Sequence, residues 1–338
     1  MAVSQNRKTF TMENDSKRFW AWPEELHRRG ILGINQRNVD FILEHNPRGF
    51  YPRVDNKLKT KEICQEHGIQ VPETYFVMTE HSQCPRFLEM IGNRTEFVVK
   101  PATGAAGRGI VVVAGRLGNN FFSTSGRLIE WTDLRHHLST ILSGLYSLGG
   151  QLDQIIVERR IVSHPMLKSI AVEGTPDIRV ILYRGVPAMA MIRLPTRASG
   201  GRANLHQGAV AAAIELNTGR TFGGVCRDRA ITLHPDTQHP IAGVELPFWH
   251  EVLEGSMKLS DALEMGYVGI DFVIDADTGP VVLEANARPG LAIQLAHRQG
   301  IVPRLKYIDS LTDLQRSGEH RWDVIESIAT KSNDFWRV

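Results

Sequence analysis

Two apolar runs, Gly269-Ile270-Asp271-Phe272-Val273-Ile274-Asp275 and Pro280 to Asn286, flank the turn-forming Ala276-Asp277-Thr278-Gly279. Runs of this length, rich in β-branched residues and joined by a glycine-ended turn, fold as an antiparallel hairpin. With Asp275 opposite Pro280, Asp271 falls opposite Glu284, and period-two alternation sets Asn286 on the face of Glu284. Opposed carboxylates with Cβ atoms about 5 Å apart repel unless a cation lies between them. Asp271, Glu284 and Asn286 are therefore candidate ligands for a hard ion, Mg²⁺ or Mn²⁺, completed by water and phosphate. The plain alternative, two solvated carboxylates on a polar face, leaves the apolar neighbours Val268, Phe272, Val282 and Leu283 poorly explained.

A second constraint lies upstream. Glu96 to Lys100 reads as a short strand that opens into Thr103-Gly104-Ala105-Ala106-Gly107-Arg108-Gly109 and continues at once into a second strand, Ile110 to Ala114. Gly104, Gly107 and Gly109 allow backbone N–H groups to approach an anion, for which phosphate is the usual occupant. A glycine-rich turn that binds nothing fits the spacing equally well. The difference is Lys100, a cation ending the apolar Phe97-Val98-Val99, where an ammonium without a partner is costly. No GK[ST] follows the glycines and no GxGxxG opens a helix, so neither a Walker nor a Rossmann loop is present here.

Between these segments, Asp177-Ile178-Arg179 opens a strand with Asp177 and Arg179 on one face, and Arg193, Arg197 and Arg202-Ala203-Asn204-Leu205-His206 follow. Guanidiniums grouped beside a metal and a phosphate suit phosphoryl transfer, although any one of them alone reads as a surface salt bridge. His206 reads as a structural histidine rather than a base, His136-His137 as a helix face, and Cys226 and the Trp20-Ala21-Trp22 pair as packing residues.

The 338-residue chain is long enough for about two domains. Its 39 basic and 37 acidic residues leave a net charge of +2, too small a field to gather nucleic acid or anionic lipid, and neither partner is expected. No run of about 18 apolar residues occurs, Met1 to Arg18 has no apolar h-region, and Cys64, Cys84 and Cys226 lack metal or disulfide spacing. A cytoplasmic protein with reduced thiols is expected. The organisation expected is a disordered extension (1–18), a short N-terminal segment (19–54) beginning in order near Phe19, two lobes (55–154 and 155–310) and a charged, helical tail (311–338). Asp55 is the expected cap of a helix from Asn56 to His67, presenting Lys57, Lys59 and Lys61 outward.

A lysine before a glycine-rich loop, a Val157-Glu158 strand end, the Asp177-Ile178-Arg179 strand, an RxN turn and a D…ExN hairpin, in that order, resemble the ATP-grasp superfamily. Arg202-Ala203-Asn204-Leu205-His206-Gln207-Gly208 and Leu283-Glu284-Ala285-Asn286-Ala287-Arg288-Pro289-Gly290 look most like the RimK-type glutamate ligases. The Gly33 to Asn38, Asn46 to Arg48 and Val54 to Leu58 segments look like their α-L-glutamate ligase-like subgroup. The resemblance implies an α+β chain of ATP-grasp fold, with ATP held between the antiparallel sheets of two α+β lobes. It implies that Lys57 and Lys100 contact phosphates under a closing loop at Gly104, Gly107 and Gly109. Glu158 and Arg159 would line the adenine pocket, Asp177, Arg202 and Asn204 would complete the nucleotide side, and Asp271, Glu284 and Asn286 would hold Mg²⁺. Arg179, Arg193, Arg202 and Arg288 would hold the reacting carboxylate and acylphosphate. The activity implied is a carboxylate–amine ligase that uses an acylphosphate, releases ADP and phosphate, and adds glutamate or a similar amino acid to a peptide or protein amine. A small-molecule kinase of the same fold and a non-catalytic ATP-binding regulatory module are the alternatives.

Overall fold

The computed structural model describes residues 23–104 and 107–331. The expected extension at 1–18, the ordered start near Phe19, the Trp20–Trp22 pair, Ala105, Ala106 and the last seven tail residues lie outside them.

Two antiparallel sheets organise the chain. The smaller contains β1 (Thr74–Met78), β2 (Phe97–Pro101), β3 (Val111–Leu117), β4 (Asn120–Ser123), β5 (Leu128–Ile129) and β6 (Ile155–Glu158), in the spatial order β1-β6-β2-β3-β4-β5. The larger contains β7 (Asp177–Tyr183), β8 (Val186–Leu194), β9 (Val210–Ile214), β10 (Thr221–Cys226), β11 (Arg229–Ala230), β12 (Tyr267–Asp275) and β13 (Gly279–Asn286), in the order β11-β10-β9-β8-β7-β12-β13. This is the α+β ATP-grasp architecture that the motifs imply. Strands β7 and β9 are buried along their whole length, which is why Val180 to Tyr183 and Val210 to Ile214 read as continuous apolar runs instead of alternating. Among the described residues no helix is long and apolar enough to cross a membrane.

The packing divides the chain otherwise than boundaries at 55 and 155 would. Leu32, Phe41, Ile42, Val54, Cys64 and Ile69 all bury in the core of the larger sheet, so the N-terminal segment and the helix Lys57–Glu66 belong with it. Among the described residues, the small core draws on those between Tyr75 and Val157, centred on Phe87, Phe97, Phe121 and Leu138. From the tail, the helix His320–Lys331 adds Val324, Ile325 and Ile328 to the larger core.

Two local expectations are corrected. Asp55 still belongs to the short helix Pro52–Asp55; Asn56, at φ −109° and ψ 110°, has the extended geometry that a cap needs, and its Oδ1 accepts from Leu58 N at 2.9 Å. The hairpin turn is one residue tighter than expected, with Asp275 opposite Gly279 and not Pro280. A bulge between Asp271 and Phe272 then restores the register, and Asp271 does face Glu284.

Candidate functional site

Lys57 opens its helix with its backbone N–H donating to the carbonyl of Ala102 at 2.9 Å, which fastens the helix start to the end of β2. Its side chain is 9% exposed, and Nζ donates to the Gly104 carbonyl. One turn on, Lys61 donates to one carboxylate oxygen of Glu158, while Lys100 meets the other at 2.5 Å. Helical spacing puts Lys57 and Lys61 on one face, and that face points into the small lobe rather than outward. The Glu158 carboxylate and the Gly104 carbonyl supply the partners that make their burial tolerable; only Lys59 is exposed as expected. Burial by itself would raise the Glu158 pKa, but Lys100 and Lys61 hold it below the ordinary carboxylate range. Burial lowers that of Lys57, opposed first by the Glu284 carboxylate, and Lys100 lies near enough to lower it further.

The glycine loop is tied at both ends. Asp153 accepts from the Thr103 N–H at 3.1 and 3.2 Å, and the His137 ring nitrogen Nε2 lies 2.9 Å from the Gly109 carbonyl. His137 is thus more than a helix face: burial holds it below its ordinary pKa, and the neutral ring donates to the loop. Gly109 has φ +77°, and a Cβ there would stand 2.7 Å from the Tyr146 ring.

On the larger sheet, four charged side chains interlock. Arg179 Nε and Nη2 donate to Asp271 Oδ1 and Oδ2 at 2.7 and 2.6 Å. Arg193, paired with Asp177 in the β7–β8 register, grips both Asp177 oxygens and also donates to Asp271 Oδ2 at 2.9 Å. Burial by itself would raise the Asp271 pKa, but the two guanidiniums hold it well below the ordinary range. Arg179 and Arg193 therefore present their remaining Nη1 edges, the former toward Gly290.

The other expected residues are spread more widely. Arg159 pairs with Asp275 at 3.0 Å and so ties the end of β6 to the hairpin turn. Glu158 is likewise committed to the two lysines. Arg202 is exposed and reaches Gln207 at 3.4 Å, and Asn204 caps its own turn by accepting from the His206 N–H at 3.0 Å. Arg288 is exposed over the Tyr51 ring, 5.0 Å from its centroid. Sequence reasoning missed Lys61, Asp153 and the loop role of His137.

Only part of the expected donor set suits a divalent ion. Glu284 and Asn286 fit: both are partly exposed on one face, with Asn286 Nδ2 3.3 Å from Glu284 Oε1. Asp271 does not fit as a free ligand, because it is 1% exposed and both oxygens are taken by arginine. The cation lying against this carboxylate is a guanidinium. Among the described residues no three His, Cys, Asp or Glu side chains form a ready metal cluster, so an ion at Glu284 and Asn286 would draw its other ligands from phosphate and water. A cavity of about 540 Å³ at Leu26, Ile31, Val225 and Leu295 is lined by none of these residues.

No curated protein matches the chain. Among solved structures it is similar in fold to the ATP-grasp ligase PsnB complexed with minimal precursor, at 14% identity and TM-score 0.42, covering 84% of this chain and 63% of that one. It is similar to D-alanine–D-alanine ligase from Bacillus anthracis complexed with ATP, at 15% identity and TM-score 0.42, covering 84% and 69%. A third, L-amino acid ligase from Bacillus licheniformis, has 16% identity and TM-score 0.41, covering 74% and 44%. The chain thus spans less than two thirds of the length of the first. Residues 36–310, which include both sheets, the lysine helix and the arginine network, match a family described as sugar-transfer associated ATP-grasp. The chain belongs to the sugar-transfer associated ATP-grasp family.

Proposed function

We propose that the chain is an ATP- and Mg²⁺-dependent carboxylate–amine ligase. The observation that carries this reading is the position of Lys57: its backbone is fastened to Ala102 at the end of β2, its buried ammonium donates to the Gly104 carbonyl of the glycine loop, and Lys100 and the hairpin's Glu284 lie within its electrostatic reach. Cations suited to phosphate and oxygen donors suited to a metal thereby share one cleft.

In this reading Lys57, Lys100 and the backbone N–H groups of the Gly104, Gly107 and Gly109 loop hold the ATP phosphates. Glu284 and Asn286 would hold Mg²⁺, which when bound neutralises charge on the transferring phosphoryl group. Arg179 and Arg193, pre-oriented by Asp271 and Asp177, turn their Nη1 edges to the reacting carboxylate. That carboxylate attacks the γ-phosphorus as the bond to ADP breaks; an amine nitrogen then attacks the acyl carbon, loses a proton, and expels phosphate. Proximity accounts for most of the second step. In the same reading Arg202 and Asn204 would complete the nucleotide side and Arg288 would meet the reacting carboxylate, Arg202 and Arg288 from exposed positions.

The RimK-like Arg202 to Gly208 and Leu283 to Gly290 segments support glutamate or a similar amino acid as one substrate, with a peptide or protein amine as acceptor. The family's association with sugar transfer supports including amino sugars among the acceptors tried. The free cysteines Cys64, Cys84 and Cys226 support a cytoplasmic setting.

The test is release of ADP and phosphate from ATP and Mg²⁺ across paired carboxylates and amines, with mass spectrometry of the products. Release that needs both partners, with a product heavier by one condensed residue, supports the ligase. A phosphorylated product without an amide points to a kinase and overturns it, as does ATP binding with no turnover under any pair.

A further inference from the structure

We propose that Lys61 is a positioning residue of the nucleotide site, whose charge leaves the Lys100–Glu158 pair with a net positive charge for phosphate. The proposal rests on the ATP-site reading above and adds to it a residue outside the motif segments that carry the resemblance.

A lone Lys100–Glu158 pair would be neutral, with its ammonium committed to the carboxylate. Lys61 occupies the second oxygen of Glu158, so two cations share one anion among side chains exposed by 7% (Lys61), 6% (Lys100) and 4% (Glu158). Buried charge of one sign in excess is expensive, and folding alone does not call for it, since an apolar side chain would fill the same space. The cluster gains from an anion supplied from outside. Lys57, a third cation near Lys100 and Glu158, is itself faced by the Asp153 and Glu284 carboxylates from the loop base and the hairpin, so the local excess lies in the Lys61–Glu158–Lys100 triad.

Lys61 also works across the lobes. Its helix is rooted in the larger core through Cys64, whereas Glu158 and Lys100 stand on the adjacent small-sheet strands β6 and β2. The Lys61–Glu158 bond and the Lys57–Gly104 bond thus set the separation at which Lys100 and the glycine loop meet a ligand.

The test compares wild type, Lys61→Met, Glu158→Gln and the double variant by calorimetric titration with ATP and with adenosine, which lacks phosphate. Lys61→Met should weaken ATP binding at least tenfold and leave adenosine binding within twofold. The double variant, with the net charge of the pair restored, should recover ATP binding to within threefold of wild type. If Lys61 only supports the fold, ATP and adenosine weaken together and the double variant is worse than either single one. Should Lys61→Met alone fail to fold, the double variant and Lys61→Arg, which keeps the charge, decide by the same ratio of ATP to adenosine affinity. Wild type binding ATP while Lys61→Met binds it equally overturns this proposal alone; wild type failing to bind ATP overturns the nucleotide site with it.

Discussion

Asp271→Asn and Glu284→Gln are both near-isosteric changes on facing positions of one hairpin, and they should behave differently. Asp177, Asp271, Arg179 and Arg193 form a charge-balanced group of two carboxylates and two guanidiniums. Removing the Asp271 charge leaves one positive charge in excess at a position where the lost carboxylate was 1% exposed and received three guanidinium hydrogen bonds. Breaking a buried pair in this way costs about 3–5 kcal/mol. For a cooperative unit of this size that is a drop of roughly 10 °C in melting temperature. Glu284 is partly exposed, takes a hydrogen bond from the Asn286 amide at 3.3 Å and has Lys57 within electrostatic reach, so Glu284→Gln should change stability by no more than about 1 kcal/mol. Thermal and urea unfolding of both variants, each with and without Mg²⁺, measures this contrast. The Asp271→Asn loss should be the same in either condition, because arginine and not metal is the partner. An Asp271→Asn protein that melts within about 1 °C of wild type refutes the network and returns Asp271 to the role of a free metal ligand.

Three further outcomes are expected. Gly109→Ala, which drives a Cβ to 2.7 Å from the Tyr146 ring at φ +77°, should weaken ATP binding far more than Gly107→Ala, where φ is +70° but a Cβ would meet none of the described residues within 4 Å; the latter bears the backbone strain of about 1–2 kcal/mol. Nucleotide titration of the two variants checks this. Burial, reinforced by Arg304, holds the His297 pKa down to about 3, so the folded chain stays unprotonated there while the unfolded chain takes up a proton below about 6.5. Stability is therefore lost as pH falls through 6.5, by about 2 kcal/mol down to pH 5, and urea unfolding at both pH values should show His297→Gln with that much less pH dependence. Asn46→Ala leaves the N–H and C=O of Tyr267 without their 2.8 and 2.7 Å partners and should cost about 2–4 kcal/mol in the same assay.

Much of the site was readable where a local rule was being broken. Lys100 stood out because it ends an apolar run, and the Asp271–Glu284 pairing followed from strand period and turn composition. The bulge that sustains this pairing has no period of its own and was not readable. Lys61 was hidden for the opposite reason: lysines four apart on a helix look like a solvated face, and their partner Glu158 lies 97 residues away. The nearest signal was that Cys64 and Thr60, both buried, flank Lys61 on its inward side. Asp177 and Arg179 were rightly set on one face. That Arg179 would take Asp271 required knowing that β12 lies beside β7, and sheet order is set by the packing of distant segments, which no local pattern records.

The most direct test of the central claim is a crystal structure with a non-hydrolysable ATP analogue and Mn²⁺, located by its anomalous scattering. The account predicts phosphates against Lys57, Lys100 and the loop at Gly104 to Gly109, with Mn²⁺ at Glu284 and Asn286 and the Arg179–Asp271 pair intact. Nucleotide bound outside the cleft between the two sheets, or a metal peak remote from Glu284 and Asn286, would contradict it.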